Sequence, residues 1–260
     1  MIKAVFFDID GTLVSYDTHR IPQSSKDAIL QLRQKGIKVF IATGRPFAAV
    51  NNLEDCEFDG FITVNGAYCM TAEKETIFKQ SIPPGEIRSF LDYQQTCGEF
   101  PCMVATENEI FINKINKDAE DIFTLINFPF PQNKKLEELV DREIFQLVAF
   151  FKEHQEKEIM KNVLPGCEAA RWNPLFADIV SKGISKQVGI DKVLEHYGFE
   201  LDEAMAFGDG GNDLQMLRHV PASIAMGNAS DIVKQTASYV TDTVDNDGIW
   251  KALKYFSIIE

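Results

Sequence analysis

Positive charge is scarce in this 260-residue chain: 26 Lys and Arg stand against 39 Asp and Glu, a formal net charge of −13. A surface of that sign repels phosphate backbones and acidic lipid, so nonspecific binding to nucleic acid or membranes is not expected. Long apolar runs are missing too. Residues 1–7 are mostly apolar but lead straight into Asp8, too short a stretch for a secretory h-region or a membrane span, and no later segment reaches spanning length. The five cysteines (Cys56, Cys69, Cys97, Cys102 and Cys167) form no CxxC pair, and an odd number cannot all be bridged within one chain. Reduced thiols and a cytoplasmic location are the expectation. His19, His154, His196 and His219 lack metal-ligand spacing and read as structural or surface residues. Internal repeats and low-complexity segments are absent as well.

What is present suits a globular enzyme. Hydrophobic residues make up 45% of the chain and charged ones 25%, so it can bury a core, and its length fits one large domain with a smaller one. Short apolar runs at 4–7, 37–42 and 61–64 read as strands covered on both faces. Helices from about 25 to 36 and from the Thr43-Gly44-Arg45-Pro46 turn to about Leu53 separate them, with Ser24 or Ser25 as a cap and Gly36 as a stop. Strand and helix in alternation mean a parallel sheet with right-handed crossovers. The pattern then changes. A hairpin pairs 68–70 with 76–80, and Pro83-Pro84-Gly85 marks a boundary. Beyond it, helices at 86–97, 117–126 and 155–163 alternate with strands at 103–106, 110–113, 145–151, 167–172 and 176–180. After Gly183 the first pattern resumes, with a helix over 185–197 and a strand over 204–207. The expected class is therefore α/β: a parallel-sheet core in two parts, 1–82 and 183–260, split by an α+β insert at 83–182.

Four pieces distant in sequence fall at the carboxyl ends of the expected core strands, where open parallel sheets bind ligands. The first is Asp8-Ile9-Asp10-Gly11-Thr12. Residues two apart in an extended segment project to the same side, so both carboxylates can face one site, and two close acids call for a shared cation or proton. Asp is a competent nucleophile toward phosphoryl groups. Read alone, the segment has a lesser alternative as a simple polar turn after a strand. The second piece is Thr43-Gly44-Arg45, either a phosphate seat at a helix start or a plain N-cap. Lys186 is the third, and a lone Lys is ordinarily a solvated surface residue. The fourth is Gly208-Asp209-Gly210-Gly211-Asn212-Asp213, whose Asp209 and Asp213 offer hard oxygens suited to magnesium.

In this order the four pieces resemble the haloacid dehalogenase superfamily. The insert resembles the large α/β cap of its Cof-type branch, mostly sugar-phosphate phosphatases, and Asn65-Gly66-Ala67 also matches that branch. The resemblance spans the whole chain and implies a Rossmann-like core with a cap, and a Mg2+-dependent phosphatase. By that resemblance Asp8 attacks phosphorus, and Asp10 protonates the leaving alcohol and then deprotonates water. Thr43 and Lys186 hold the phosphoryl oxygens, with Gly44, Arg45, Asn65 and Asn212 as further phosphate or substrate contacts. Asp8, Asp209 and the Asp10 carbonyl hold the metal, and Asp213 either ligates it through water or orients Lys186.

The resemblance favours a hexose or pentose phosphate as substrate, with a flavin or nucleotide monophosphate second. Asp10 disfavours dehalogenation, and the lack of membrane helices disfavours an ion pump. A phosphomutase uses the same residues, and a silent phosphate-binding regulator is the reading from a different class. Arg45, Asn65 and Arg171-Trp172-Asn173-Pro174 are candidates to face the leaving group, Trp172 by stacking on a sugar or else as packing. Linkers near 82–85 and 181–183 are expected hinges. The expected partner is a small phosphorylated metabolite, neither nucleic acid nor membrane, and the expected assembly a monomer or weak homodimer.

Overall fold

Strand periodicity sets the layers. In β1 (Ala4–Phe7), Val5 and Phe7 face one way and Ala4 and Phe6 the other, and all four are fully buried. A strand buried on both faces belongs in the middle of a sheet with helices on either side. The computed structural model, which describes residues 1–260 except Asn127, Val140 and Trp172, has that arrangement.

Along the chain β1 is followed by β2 (Lys38–Ala42), β3 (Gly60–Thr63), β4 (Tyr68–Thr71) and β5 (Thr76–Lys79). Next come β6 (Cys102–Ala105), β7 (Ile110–Ile112), β8 (Gln132–Asn133), β9 (Gln146–Ala149), β10 (Cys167–Ala170) and β11 (Ala177–Ser181). The last strands are β12 (Ala204–Gly208), β13 (Ala222–Ala225) and β14 (Tyr239–Val240). Among the described residues these form an eight-stranded sheet, β14-β13-β12-β1-β2-β3-β4-β5, and a six-stranded sheet, β10-β11-β9-β6-β7-β8. The first is parallel from β14 to β3, and β4 and β5 add an antiparallel edge. In the second every pairing is antiparallel except that of β7 with the short β8.

Helices α1 (Gln23–Gln34), α2 (Pro84–Cys97), α3 (Lys117–Leu125) and α4 (Glu153–Asn162) precede α5 (Lys186–Tyr197), α6 (Leu214–His219), α7 (Asp231–Thr236) and α8 (Gly248–Tyr255). The Val5 face packs on Ala28, Ile29 and Leu32 of α1 and on Ala252 and Leu253 of α8. The Ala4 face packs on Ile190, Val193 and Leu194 of α5 and Met216 and Leu217 of α6. In the second sheet Val104, Leu147 and Ile179 face α2 and α4, while Met103 and Val148 face α3. The two strands of chain that join the sheets run side by side, with Gln80 Nε2 donating to Ser181 Oγ at 3.0 Å and to the Lys182 carbonyl at 3.3 Å.

One expected helix is not formed. After Pro46 the chain makes a single 3₁₀ turn, Phe47–Ala49, instead of a helix to Leu53. The Ala49 carbonyl, which a continuing helix would need, accepts from Arg45 Nη1 at 3.1 Å, and the next residues, Val50-Asn51-Asn52, are poor helix formers.

Candidate active site

Asp8 follows β1 directly and is 7% exposed. Its Oδ1 accepts from Lys186 Nζ at 2.6 Å, and the same ammonium donates to Asp213 Oδ1 at 2.6 Å. Lys186 is completely buried, against the ordinary expectation for an isolated lysine. Two glycines allow this. A Cβ on Gly66 would stand 2.1 Å from the Ser185 carbonyl, and one on Gly189 would stand 2.4 Å from Ile62 Cγ2, so the first turn of α5 lies directly on the loop after β3. That loop is itself strained: Val64 and Asn65 both have positive φ, 53° and 54°, a region a β-branched residue rarely enters.

The loop after β12 completes the group. Asp213 Oδ2 accepts from the amides of Asp209 at 2.9 Å and Gly210 at 2.8 Å, closing the loop on itself. Asp209 Oδ1 accepts from Thr12 Oγ1 at 2.8 Å, and Asn228 Nδ2, in the loop after β13, donates to the Gly11 carbonyl at 2.8 Å, tying β1's loop to those after β12 and β13. On the other side, Arg45 Nε and Nη2 grip both oxygens of Asp10 at 2.6 and 2.7 Å. Its Nη2 also donates to the Ile126 carbonyl at the end of α3, at 2.7 Å, so this guanidinium joins Asp10 to the second sheet's layer. Thr43 Oγ1 accepts from the Arg45 amide at 3.1 Å.

Burial governs the electrostatics. It pushes the Asp8 carboxyl from 3.8 up to about 7, against the pull of Lys186 and with help from Asp213 and Asp10. Asp209 is raised well above the usual carboxylate range, by burial first and then by Asp8 and Asp213. Burial alone would lower Lys186, but Asp213 and Asp8 outweigh it and hold the ammonium above its ordinary value. Oxygens of Asp8, Asp209 and Asp213 lie within 4.8 Å of one another. Three hard carboxylates, Asp8 and Asp213 buried and Asp209 half-buried, with one ammonium between them are short of positive charge, which fits a magnesium-sized divalent cation.

A cavity of about 290 Å³ opens above these groups, lined on the core side by Asp8, Asp10, Thr43, Gly44, Asp209 and Asn212. Its other wall comes from α3 and the second sheet, including Phe123, Gln146, Val148 and Asp178. Asn65 and Lys186 do not line it. Asn65, expected to face the leaving group, is buried beside Gly44 and accepts from Asn212 Nδ2 at 3.0 Å. Arg171 was expected there too, but it binds Glu156 and the carbonyls of Phe151 at 3.2 Å and Pro174 at 3.1 Å. Neither Arg171, Asn173 nor Pro174 lines the cavity, and Trp172 lies outside the described residues. Sequence reasoning missed Tyr16, whose hydroxyl donates to the Asp10 carbonyl at 3.0 Å, and Asn228; no local motif signals either.

The haloacid dehalogenase-like hydrolase family matches residues 5–253. This chain belongs to that family. The hydrolase is 36% identical over 261 residues to the putative phosphatase YkrA of Bacillus subtilis, covering 99% of both chains. It is 28% identical over 263 residues to the 5-amino-6-(5-phospho-D-ribitylamino)uracil phosphatase YcsE of the same organism, covering 98% of this chain and 96% of that one. Among solved structures it superposes on the subclass IIB sugar phosphatase BT4131 with a TM-score of 0.91 at 45% identity, over 99% of this chain and 100% of that one. BT1666 from Bacteroides thetaiotaomicron gives 0.91 at 38% identity, over 100% and 96%. The hydrolase is thus a phosphatase of the Cof type, with a parallel-sheet core and a cap. No helix among the described residues is long and apolar enough to cross a membrane.

Proposed function

We propose that the hydrolase is a Mg2+-dependent phosphatase of small phosphorylated metabolites, chiefly hexose or pentose phosphates, working through an aspartyl-phosphate on Asp8. The observation that carries this reading is the line of contacts Asp8–Lys186–Asp213 on one side of the cavity and Asp10–Arg45 on the other. An Asp8 oxygen forms the new bond to phosphorus, the ester P–O bond breaks, and the departing oxygen takes the Asp10 proton. Asp10 then removes a proton from water, whose oxygen attacks phosphorus, and the Asp8–phosphorus bond breaks. Lys186, with Thr43 and Gly44 beside the cavity, neutralises charge on the phosphoryl oxygens. Arg45 holds Asp10 in place rather than facing phosphate.

Magnesium, held by Asp8, Asp209 and the Asp10 carbonyl, supplies electrostatic stabilisation of the transferred group. Both Asp213 oxygens are engaged by Lys186 and the loop amides, which supports a role in orienting Lys186 over direct ligation. The cavity lies at the lower end of the range for ligand sites, which supports a small substrate. A second reading, an ester bearing a flat heteroaromatic ring, is favoured by the aromatic side chains in the wall and by the substrate in YcsE's name.

The test is phosphate release from p-nitrophenyl phosphate with magnesium, with and without EDTA. Activity should vanish in EDTA and in Asp8→Asn. Full activity in that variant would overturn the covalent mechanism.

A further inference from the structure

We propose that Tyr16 is a positioning residue of the magnesium site: its hydroxyl holds the Asp10 carbonyl in one orientation and so sets how tightly and how selectively the cation is bound. This rests on the magnesium-dependent reading above and adds a residue to it.

The peptide between Asp10 and Gly11 is one that could easily turn. Gly11 has φ +85°, and a glycine lets the peptide plane before it rotate at little steric cost. Rotation would swing the Asp10 carbonyl out of place. The grip of Arg45 on the Asp10 carboxylate does not oppose this, because a peptide turns about bonds that leave the side chain where it is. Two other hydrogen bonds do oppose it. The Gly11 amide donates to the Val14 carbonyl at 2.9 Å, and the Asp10 carbonyl accepts from the Tyr16 hydroxyl at 3.0 Å. Both polar groups of this one peptide are thus held by the loop that follows it.

That loop is built to present the phenol. Ser15 is buried, and its Oγ accepts from the amides of Asp17 at 3.1 Å and Thr18 at 3.2 Å, while its carbonyl accepts from the His19 amide at 2.9 Å. Tyr16, next to this closed turn, lays its ring against Gly11. A Cβ on Gly11 would stand 2.5 Å from Tyr16 Cε2 and 2.2 Å from Asp209 Oδ2, so the phenol and the Asp209 carboxylate crowd the same backbone position. The hydroxyl therefore reaches a carbonyl that borders the acidic cluster.

A carbonyl oxygen has two lone pairs. Donation from Tyr16 uses one and leaves the other for a cation. Outer partners that orient a metal ligand commonly change affinity by about 10- to 100-fold. The lower end applies here, because Tyr16 lines the cavity and is 42% exposed, so water can stand in for a lost hydroxyl. Magnesium demands near-ideal octahedral geometry and calcium does not, so a loosened carbonyl penalises magnesium more.

The test is calorimetric titration of the metal-free protein with magnesium chloride and, separately, calcium chloride. Tyr16→Phe keeps the ring and removes only the hydroxyl. It should weaken magnesium binding about tenfold and calcium binding by about threefold or less, narrowing the preference between them, which a merely structural role would not do. The same tenfold should appear in urea unfolding as about 1.4 kcal/mol less stabilisation by excess magnesium, a readout that needs no turnover. Tyr16→Leu, which removes the ring as well, should weaken magnesium at least as much. A loss of less than about threefold in Tyr16→Phe, tighter magnesium binding, or equal losses for both cations would overturn the proposal and leave the phosphatase reading in place. Near-normal affinity in Tyr16→Phe with a loss confined to Tyr16→Leu would assign the effect to ring packing and overturn it too. Wild-type protein that binds no magnesium would instead remove the magnesium reading, and this inference with it.

Discussion

Metal-free protein should be more stable in mild acid than above neutrality, and Asp8 sets the size of the effect. Burial, opposed by Lys186, raises its carboxyl from an ordinary 3.8 to about 7. A folded-state value above the unfolded one means that the native state binds the extra proton. The stabilisation is complete below the unfolded value and is lost as pH rises through the folded one, here from about pH 4 to about pH 7. At about 1.4 kcal/mol per tenfold, the whole displacement is worth about 4 kcal/mol, of which about 2 kcal/mol falls between about pH 5.5 and about pH 8. Asp209, raised for the same reason, acts in the same direction. Urea unfolding in EDTA reads this directly: with a slope of about 3 kcal/mol per molar, the midpoint should fall by about 0.7 M from the lower pH to the higher. Asp8→Asn cannot titrate and should lose most of that difference. Magnesium should restore stability at about pH 8, where the carboxylates are ionised and ready to bind it. A metal-free stability that is flat or rises over this range, or an unchanged slope in Asp8→Asn, would refute the assignment of the shift to burial.

Arg45→Ala removes the grip on Asp10 and the tie to Ile126. Turnover of sugar phosphates should fall roughly 10- to 100-fold, with a smaller loss on p-nitrophenyl phosphate, whose leaving group departs without a proton. Equal losses on both would show that Arg45 acts on the phosphoryl group instead. Gly66→Ala should cost about 3 kcal/mol or more in a denaturation midpoint, because its Cβ would collide with the Ser185 carbonyl at 2.1 Å and Gly66 sits at φ +100°. Wild-type stability in that variant would mean that α5 can shift without loss.

The parts of the site that were legible in sequence are those coded locally. Asp8, Thr43 and Asp209 each follow an apolar run that ends at a turn, and strand periodicity alone puts them at one edge of a parallel sheet. Lys186 is different. Nothing around it in the sequence marks it as buried, because the space it occupies is made by Gly66 and Gly189, which only meet in three dimensions. Arg45 reads in sequence as charge for a phosphate, and the contact it makes in the structure, with Asp10, spans 35 positions. Gln146 and Asp178 were hidden for a related reason. Each interrupts an otherwise apolar strand, and sequence alone does not reveal that the facing layer is a cavity instead of a core. The helix expected after Pro46 fails because a side chain, not a backbone amide, claims the Ala49 carbonyl.

β1 is made first and enclosed last. One edge pairs with β2 within the first 42 residues, but the other waits for β12 at Ala204–Gly208. At about 5–20 residues per second, on the order of ten to thirty seconds of synthesis separate the two events. Throughout that interval a strand of four apolar residues offers an unpaired edge, the kind of surface on which chains aggregate or chaperones bind. The second sheet is under no such delay, since its strands lie between residues 102 and 181 and, among the described residues, pair only with one another. Folding during translation therefore runs against the order of the chain: the layer that covers the cavity can assemble while the layer that carries Asp8 is still half built.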